Sequence, residues 1–258
     1  MPELPDVAVF ARRIRAACGR TIDRCSVNSG TFLAGVSQRR LCTALAGAVL
    51  GEPHRHGKQL FLPLDDGPTH LALHFGMTGG VAVDADADPA HTRLRCDFTD
   101  GGNLCLTSQR LLGHAGLTED LDAYLSANEL GPDALDLGWE AFRDIFRSRR
   151  GMLKTALMDQ RKLAGVGNVY ADEICYQAGI DPRRDLRDLS EKELRQLHRT
   201  MQCVLHMAIE RDADPDSCPR TWLLPNREEG RSAPRGDGTV HKIRVGGRGT
   251  YLVPERQR

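Results

Sequence analysis

The chain has no run of apolar residues long enough to cross a membrane, and no basic and apolar leader precedes its first prolines. Its formal net charge is zero, which gives no overall electrostatic argument for a nucleic-acid partner. The sequence contains eight cysteines but no CxxC pair, so a zinc site built from cysteines is not expected. These absences predict a cytoplasmic protein with reduced thiols, no membrane contact, and no metal or other cofactor.

The charge that is present is unevenly distributed. Acidic residues occur without a basic one from Glu119 to Glu140, whereas Lys and Arg outnumber Asp and Glu from Arg220 onwards. Such asymmetry indicates local rather than global electrostatics. A basic surface is predicted around a glycine turn near residue 165, from Arg147, Arg149, Arg150, Lys154, Arg161 and Lys162.

Length and hydrophobic periodicity bound the fold. A chain of 258 residues can form one or two domains. Short β-like runs separated by Gly, Pro and Asp fill the first part, which is typical of a sandwich or a barrel. The predicted strands there are Thr21–Val27, Gln59–Leu64, His70–Phe75, Gly80–Val83, Leu94–Phe98 and Asn103–Leu106.

Helical periodicity predicts a leading helix and a helical second part that begins near residue 118. Asp6 is a candidate N-cap of the leading helix, and Ser190 with Glu193 forms a capping box before a long amphipathic helix. The other predicted elements are the helices Asp6–Cys18, Trp139–Arg147, Met152–Asp159 and Val169–Ala178, and the C-terminal strands Val240–Val245 and Thr250–Val253.

The first six residues, Met1–Asp6, hold two prolines and two carboxylates. If Met1 is removed, the chain begins with the secondary amine of Pro2 beside Glu3. An α-amine titrates near pH ~8 and a lysine near ~10.4, so far more of the amine is unprotonated at neutral pH. Pro2 is therefore a candidate Schiff-base nucleophile with Glu3 as its acid/base partner. The alternative is a disordered start that contains prolines.

The segment Gly165–Glu173 is the strongest local pattern. Gly165 and Gly167 allow a tight turn whose amides face outward, and a helix begins immediately afterwards. This arrangement predicts an anion site suited to a phosphate. A glycine turn that only joins two helices is the alternative interpretation.

Five motifs, in order, resemble those of the formamidopyrimidine-DNA glycosylase/endonuclease VIII family. The resemblance covers nearly the whole chain. The motifs are Pro2-Glu3-Leu4-Pro5-Asp6, His56-Gly57-Lys58, His74-Phe75-Gly76-Met77-Thr78-Gly79, Leu157-Met158-Asp159-Gln160 with Gly165–Glu173, and Arg248-Gly249-Thr250-Tyr251.

The resemblance implies an α+β protein of two domains. An N-terminal β-sandwich with a leading helix would be followed by a helix–two-turns–helix domain that ends in a β-hairpin. We place the boundaries at residues 1–118, 119–215 and 216–258. The implied partner is double-stranded DNA that contains a damaged base or an abasic site, bound by a monomer.

The implied reaction begins with flipping of a damaged nucleotide out of the duplex. The Pro2 amine attacks the sugar C1′, the base leaves, and β- and δ-eliminations cut the strand through an iminium. The resemblance assigns the catalytic roles to Pro2, Glu3, Asp6 and Lys58. It assigns DNA contacts to His74, Met77, Arg110, Leu112, Gly167, Asn168, Tyr170 and Arg248, and a place in the lesion pocket to Glu173.

The chain departs from the family pattern at three places. Asp6 replaces a glutamate and is one methylene shorter, and Leu112 stands where an aromatic wedge is usual, with core packing as its alternative role. The four zinc-ligand positions of the usual C-terminal finger hold Ala233, Gly236, Val253 and Arg256. This predicts a zinc-less finger whose hairpin packs through Val240, Ile243, Val245, Tyr251 and Val253.

Loss of the metal removes a source of local folding energy. The sequence therefore predicts that residues 216–258 are the most mobile part of the free protein and become ordered on DNA.

The predicted function is excision of damaged bases from duplex DNA with abasic-site lyase activity. Oxidised purines such as 8-oxoguanine or formamidopyrimidine are the default substrates, and oxidised pyrimidines or bulky and alkylated bases stay open. The alternative from another class is a protein of the same fold that binds lesions without cutting.

Overall fold

The computed structural model describes residues 1–148 and 150–258, so Arg149 of the predicted basic surface lies outside the described residues. The chain forms two compact units. The first comprises residues 1–2 and 6–128, and the second comprises residues 3–5 and 129–258.

Two four-stranded antiparallel sheets form the first unit, which confirms the β-sandwich. One sheet has the order β1-β6-β7-β5 and the other β2-β3-β4-β8. The strands are β1 (Ile22–Val27), β2 (His54–His56), β3 (Gln59–Pro63), β4 (His70–His74), β5 (Gly79–Val83), β6 (Thr92–Phe98), β7 (Asn103–Ser108) and β8 (His114–Thr118). The helices are α1 (Leu4–Ile14), which begins in residues of the second unit, α2 (Gln38–Leu45) and α3 (Leu121–Ala127).

The core of the first unit follows from alternation along its strands. In β6 every second residue is buried, so that Leu94, Cys96 and Phe98 face the core. Val7 and Ile14 of α1 join the same core at helical spacing.

The second unit is helical and ends in a hairpin. Its helices are α4 (Trp139–Arg147), α5 (Leu153–Leu157), α6 (Asn168–Ala178) and α7 (Glu191–Glu210), and its strands are β9 (His241–Val245) and β10 (Arg248–Leu252). The capping box of α7 is confirmed, because Glu193 N–H donates to Ser190 Oγ and Ser190 N–H donates to Glu193 Oε2. None of the helices in the described residues is long and apolar enough to span a membrane.

Several predicted boundaries were wrong. Helix α1 begins at Leu4, so Asp6 lies in its first turn and is not the N-cap. Pro5 is tolerated there because the N–H that it lacks would have no helical partner in the first turn. Strand β10 begins at Arg248, since Gly246 and Gly247 both have positive φ and close a two-residue turn directly.

The short elements α2, β2 and β8 were not predicted. In β8 the strand pattern of the sequence is interrupted by Gly116. A Cβ at this position would lie 2.7 Å from Ala34 O, which explains why a glycine is found here. The glycine therefore marks a close approach of two backbones, which local periodicity does not reveal.

Candidate active site

The carboxylate of Glu3 is fully buried at the N-terminus of α6. Glu3 Oε2 accepts hydrogen bonds from Gly167 N (2.8 Å) and Tyr170 N (3.2 Å), and Oε1 accepts one from Val169 N (2.8 Å). The first amides of a helix have no partner within the helix and carry partial positive charge. They therefore hold Glu3 in one orientation and stabilise its ionised form.

The two glycines of the turn make room for the N-terminal segment. A Cβ on Gly167 would lie 2.3 Å from Glu3 Cδ, and a Cβ on Gly165 would lie 2.4 Å from Leu4 Cδ1. The backbone bond from Leu4 N to Gly165 O (3.1 Å) fixes the same segment. Three amides of this turn and helix start thus bind the Glu3 carboxylate, and the phosphate expected near the turn stays a prediction.

For the reaction that the family resemblance implies, this packing predicts that Gly167→Ala lowers base excision and strand cleavage by about 100-fold or more, on the scale of a misplaced proton-transfer group. Gly167 has φ −122° and ψ −159°, which alanine adopts readily, so the effect is displacement of Glu3 and not backbone strain. Single-turnover cleavage of a lesion duplex measures it. Gly138→Ala is the matched control, because Gly138 also precedes a helix and has nothing near its Cβ position. Activity within twofold of wild type for Gly167→Ala would contradict the steric argument.

Pro2, Asp6 and Lys58 are each partly exposed. Pro2 is joined directly to Glu3, and Asp6 lies in the first turn of α1, where a carboxylate is favoured by the helix dipole. Lys58 and Gly57 form the two-residue turn between β2 and β3, so Lys58 is presented at the end of a hairpin.

His74 ends β4 opposite His114 of β8, with the ring centroids 5.3 Å apart. The N–H of Gly76 donates to His74 Nδ1 (3.3 Å), which leaves the ring proton on Nε2 in the neutral form. Burial is the main cause that lowers the pKa of His74 to about 4, and electrostatic interactions with His114 and Lys58 contribute to this lowering. His74 is therefore a neutral hydrogen-bond donor at physiological pH. The sequence did not identify His114 as its neighbour.

The lowered pKa of His74 predicts an acid-sensitive first unit. Between about pH 6.5 and pH 4 the unfolded chain binds a proton at His74 and the folded chain does not. The free energy of unfolding should therefore fall as the pH drops through this window, by about 3 kcal/mol at most. Denaturant unfolding as a function of pH measures this change, and His74→Gln, which keeps an N–H donor, should remove this component. An NMR midpoint for His74 near 6.5 would refute the prediction.

Met77, Arg110 and Leu112 are all exposed and come from two adjoining loops of the first unit. Arg110 N donates to Thr78 Oγ1 (3.0 Å), and Arg110 Nη1 lies 3.5 Å from Met77 Sδ. Leu112 is half exposed (51%), which excludes core packing as its role. The structure thus brings Met77 and Arg110 together, and the backbone of Leu112 lies next to Gly76, the neighbour of Met77. The resemblance assigns these three residues to filling the space of a flipped base.

The hairpin strand β10 begins at the exposed Arg248. Asn168 at the start of α6 donates from Nδ2 to Gly249 O (3.2 Å), next to Arg248. An open groove of about 540 Å³ lies beside Arg248 and is also lined by Arg150, Thr155 and Gly246. Asn168 and Arg248, which are both predicted to bind phosphate, are therefore neighbours.

Tyr170 and Glu173 are buried rather than exposed to a ligand. Glu173 Oε1 accepts from Gln177 Nε2 (2.7 Å) and Oε2 accepts from Leu224 N (2.7 Å). Burial raises the pKa of Glu173 to about 7. In this structure the carboxyl group anchors the segment that follows α7.

Three of the positions that the resemblance aligns with zinc ligands contribute to packing. Val253 is fully buried against Tyr176, and Ala233 packs against the same small cluster. Arg256 donates from Nε to Tyr176 O (3.0 Å), and its guanidinium lies 4.9 Å from the Tyr176 ring centroid. Within residues 1–148 and 150–258, no group of three His, Cys, Asp or Glu side chains could hold a metal ion.

Lys154 does not belong to a basic surface, contrary to the sequence prediction. It is fully buried and forms an ion pair with Asp172, with Nζ 2.6 Å from Oδ1. Neither Asp172 nor Arg227 is predicted as a site residue by the sequence motifs. The signal that could have pointed to Asp172 is a charged residue one turn after Asn168 on a largely buried helix.

Comparison with known proteins gives a consistent result over the whole chain. Residues 1–115 match the formamidopyrimidine-DNA glycosylase N-terminal domain, and residues 130–218 match the H2TH domain of the same family. A formamidopyrimidine-DNA glycosylase of Arabidopsis thaliana is 32% identical over 100% of this chain and 71% of its own length. One from Thermus thermophilus is 33% identical, over 100% of this chain and 98% of its own.

Solved structures give the same answer. Lactococcus lactis Fpg in complex with DNA containing an abasic site has a TM-score of 0.89 and 25% identity, with 100% of both chains covered. A complex of MutM with DNA containing carbocyclic 8-oxo-G has a TM-score of 0.87 and 26% identity, again with 100% of both chains covered.

Proposed function

This chain belongs to the formamidopyrimidine-DNA glycosylase family and is a DNA glycosylase and abasic-site lyase, and we propose that it removes oxidised purines from duplex DNA. The observation that supports the proposed chemistry is the position of the Glu3 carboxylate. A carboxylate held by three amides, directly after Pro2, puts a fixed proton acceptor beside a candidate amine nucleophile. Such a pair suits Schiff-base chemistry at a sugar carbon.

We propose the following sequence of steps. Removal of Met1 frees the Pro2 nitrogen, which attacks C1′ of the flipped nucleotide as the damaged base leaves. Glu3 carries protons between the amine and the opening sugar, and the resulting iminium acidifies the hydrogen at C2′. Loss of that proton expels the 3′ phosphate, and a second elimination expels the 5′ phosphate. Hydrolysis of the iminium then regenerates the amine.

Both units supply the proposed DNA contacts. We assign Lys58 and His74 of the first unit and Asn168 and Arg248 of the second to backbone phosphates. The neutral His74 would donate a hydrogen bond, whereas Lys58 and Arg248 would also supply charge. Because few cations are involved, the binding constant should show a modest salt dependence.

Met77, Arg110 and Leu112 are proposed to fill the space of the flipped base. Their mutual proximity and exposure support this role. Leu112 can wedge between base steps but offers no aromatic ring for stacking. We therefore expect that the preference for the base opposite the lesion differs from that of relatives with an aromatic wedge.

The substrate proposal is supported by what similar proteins bind. Lactococcus lactis Fpg has been solved with DNA containing Fapy-dG, and MutM with DNA containing carbocyclic 8-oxo-G. A second candidate is a bulky, alkylated purine, because Lactococcus lactis Fpg also forms a complex with DNA containing N7-benzyl-Fapy-dG.

A panel of duplexes tests the substrate. Each duplex carries 8-oxoguanine, formamidopyrimidine, N7-benzyl-formamidopyrimidine, an oxidised pyrimidine or an abasic site, opposite each of the four bases. The proposal expects the highest kcat/KM for the first two lesions. Faster excision of the benzylated lesion would favour the second candidate, and cleavage of the abasic duplex alone would refute base excision.

A further inference from the structure

Four segments of the second unit meet at the buried carboxylate of Asp172. They are α5, α6, the segment after α7 that contains Arg227, and strand β10 of the hairpin. We propose that Asp172 is a positioning residue: together with Lys154 and Arg227 it forms an ionic clamp that fixes the hairpin on α6. This inference rests on the proposed DNA function only in the purpose of the clamp, which is to keep Asn168 and Arg248 at a constant spacing.

The Lys154 side of the clamp connects α5 to the hairpin. Lys154 Nζ lies 2.6 Å from Asp172 Oδ1 and donates to Thr250 Oγ1 (2.7 Å) and Gly249 O (3.2 Å). Thr250 is itself fully buried and donates from Oγ1 to Arg248 O (3.1 Å). The Lys154 ammonium group therefore binds β10 directly beside Arg248.

The Arg227 side of the clamp connects the preceding segment to the same strand. Asp172 Oδ2 accepts from Tyr251 N (3.1 Å) and from Arg227 Nη2 (2.8 Å). The Arg227 guanidinium also lies 4.9 Å from the centroid of the Tyr251 ring. One carboxylate thus joins a backbone amide of β10 to two cations from different parts of the chain.

Helix α6 carries Asp172 of the clamp and the proposed phosphate-binding residue Asn168 on one face. Asn168 and Asp172 are four residues apart, which places them next to each other along the helix. Asn168 contacts Gly249 O (3.2 Å), and Asp172 contacts Tyr251 N (3.1 Å), so the helix holds β10 at two successive points. Any shift of the hairpin would change the distance between Asn168 and Arg248.

The burial of Lys154 and Asp172 indicates that the clamp fixes the position of the hairpin more than it increases the free energy of unfolding. Lys154 and Asp172 are both 0% exposed, and loss of water lowers the pKa of Lys154 and raises that of Asp172. Buried ion pairs are often no better for stability than apolar residues of the same volume, but they require one geometry. The apolar cluster of the hairpin is small, consisting of Tyr176, Leu223, Val240 and Val253 with Ala233 and Tyr251 at its edge.

The clamp leads to a prediction opposite to one made from the sequence. A finger without its metal was expected to be mobile until DNA binds. The clamp instead predicts that β9 and β10 are already ordered in the free protein. Hydrogen exchange of the Tyr251 amide, which donates to Asp172, reports this directly.

Two variants at the edges of the clamp test it without leaving a buried charge unpaired. Thr250→Val removes an acceptor of Lys154, and Arg227→Gln removes the outer cation. Thr99→Val and Arg187→Gln are matched controls, because both residues are exposed and neither belongs to the clamp or the hairpin. The readouts are hydrogen exchange of residues 241–252 without DNA, and KM and kcat on an abasic duplex.

In the wild type, exchange of the hairpin amides should be equally slow with and without DNA. In both variants exchange should be about tenfold faster or more in the free protein, and KM should rise about tenfold while kcat stays within twofold. The salt dependence of binding should also become shallower by about one phosphate contact. The controls should match the wild type.

Unchanged hairpin exchange in both variants would overturn the clamp, and so would faster exchange in the controls. A fall in kcat at constant KM would overturn the positioning role. Because exchange is measured without DNA, this result is independent of the proposed function. A wild-type protein that neither binds nor cuts damaged DNA would refute the function and leave the clamp to be decided by exchange alone.

Discussion

Blocking the Pro2 nitrogen should abolish catalysis. In a variant that carries extra residues ahead of Pro2, this nitrogen is part of a peptide bond, and its lone pair is delocalised into the carbonyl group and cannot attack C1′. Strand cleavage at an abasic site should fall by about 10⁴-fold or more, as when other enzymes lose their nucleophile. Borohydride trapping of the enzyme–DNA adduct is the direct measurement, and the covalent adduct should disappear together with cleavage.

The matched control is Pro2→Gly with a free amine. A primary amine can still form a Schiff base, so this variant should yield trapped adduct, whereas the same substitution with a blocked amine should not. Binding to a duplex with an uncleavable abasic analogue should be retained in every variant, which shows that the fold is intact. An adduct that persists after blocking would identify another amine, with Lys58 the first to examine, and would refute the role of Pro2.

Glu3→Gln should lower the rate of strand cleavage by about 10²–10⁴-fold, the usual contribution of a positioned acid/base group. This corresponds to about 3–5 kcal/mol in the activation free energy. Glutamine keeps the shape of the side chain but cannot take up a proton. Its amide group would also face a backbone N–H at the start of α6, because three donors converge on the carboxylate. We therefore also expect a loss of about 1–3 kcal/mol in unfolding free energy.

An abasic duplex separates the two effects, because cleavage then needs neither base flipping nor base release. Single-turnover rates give the proton-transfer defect, and thermal unfolding gives the structural one. Glu210→Gln is a suitable control, since it removes one exposed carboxylate from the same unit. Cleavage by Glu3→Gln within tenfold of wild type would show that Glu3 caps the helix and does not carry protons.

The effects of Glu3→Gln and Gly167→Ala should be related. Both act on one hydrogen-bonded group, so the double variant should be little worse than the more damaged single variant. Multiplication of the two losses would indicate that Gly167 acts independently of Glu3. The glycine turn thus connects the first and the fourth of the five sequence motifs.

Local patterns predicted much of the fold. The bounds of α4 agreed with the structure because the spacing of Phe142 and Phe146 and the glycine before Trp139 are all local. The capping box of α7 was equally local. Short or interrupted elements such as α2 and β8 were missed, since their stability depends on packing more than on periodicity.

The sequence by itself determined the family and the two-domain α+β fold, because these depend on motifs and their order, and the same motifs predict the residues that carry the chemistry. Only the tertiary structure decided what those residues contact. Gly167 lies 164 residues from Glu3, and no local pattern shows that its amide binds that carboxylate rather than a phosphate. The burial of Lys154 against Asp172 and the hold of both on Thr250 and Tyr251 are likewise long-range contacts. They follow from how α5, α6 and the hairpin pack, which the periodicity of each element does not specify.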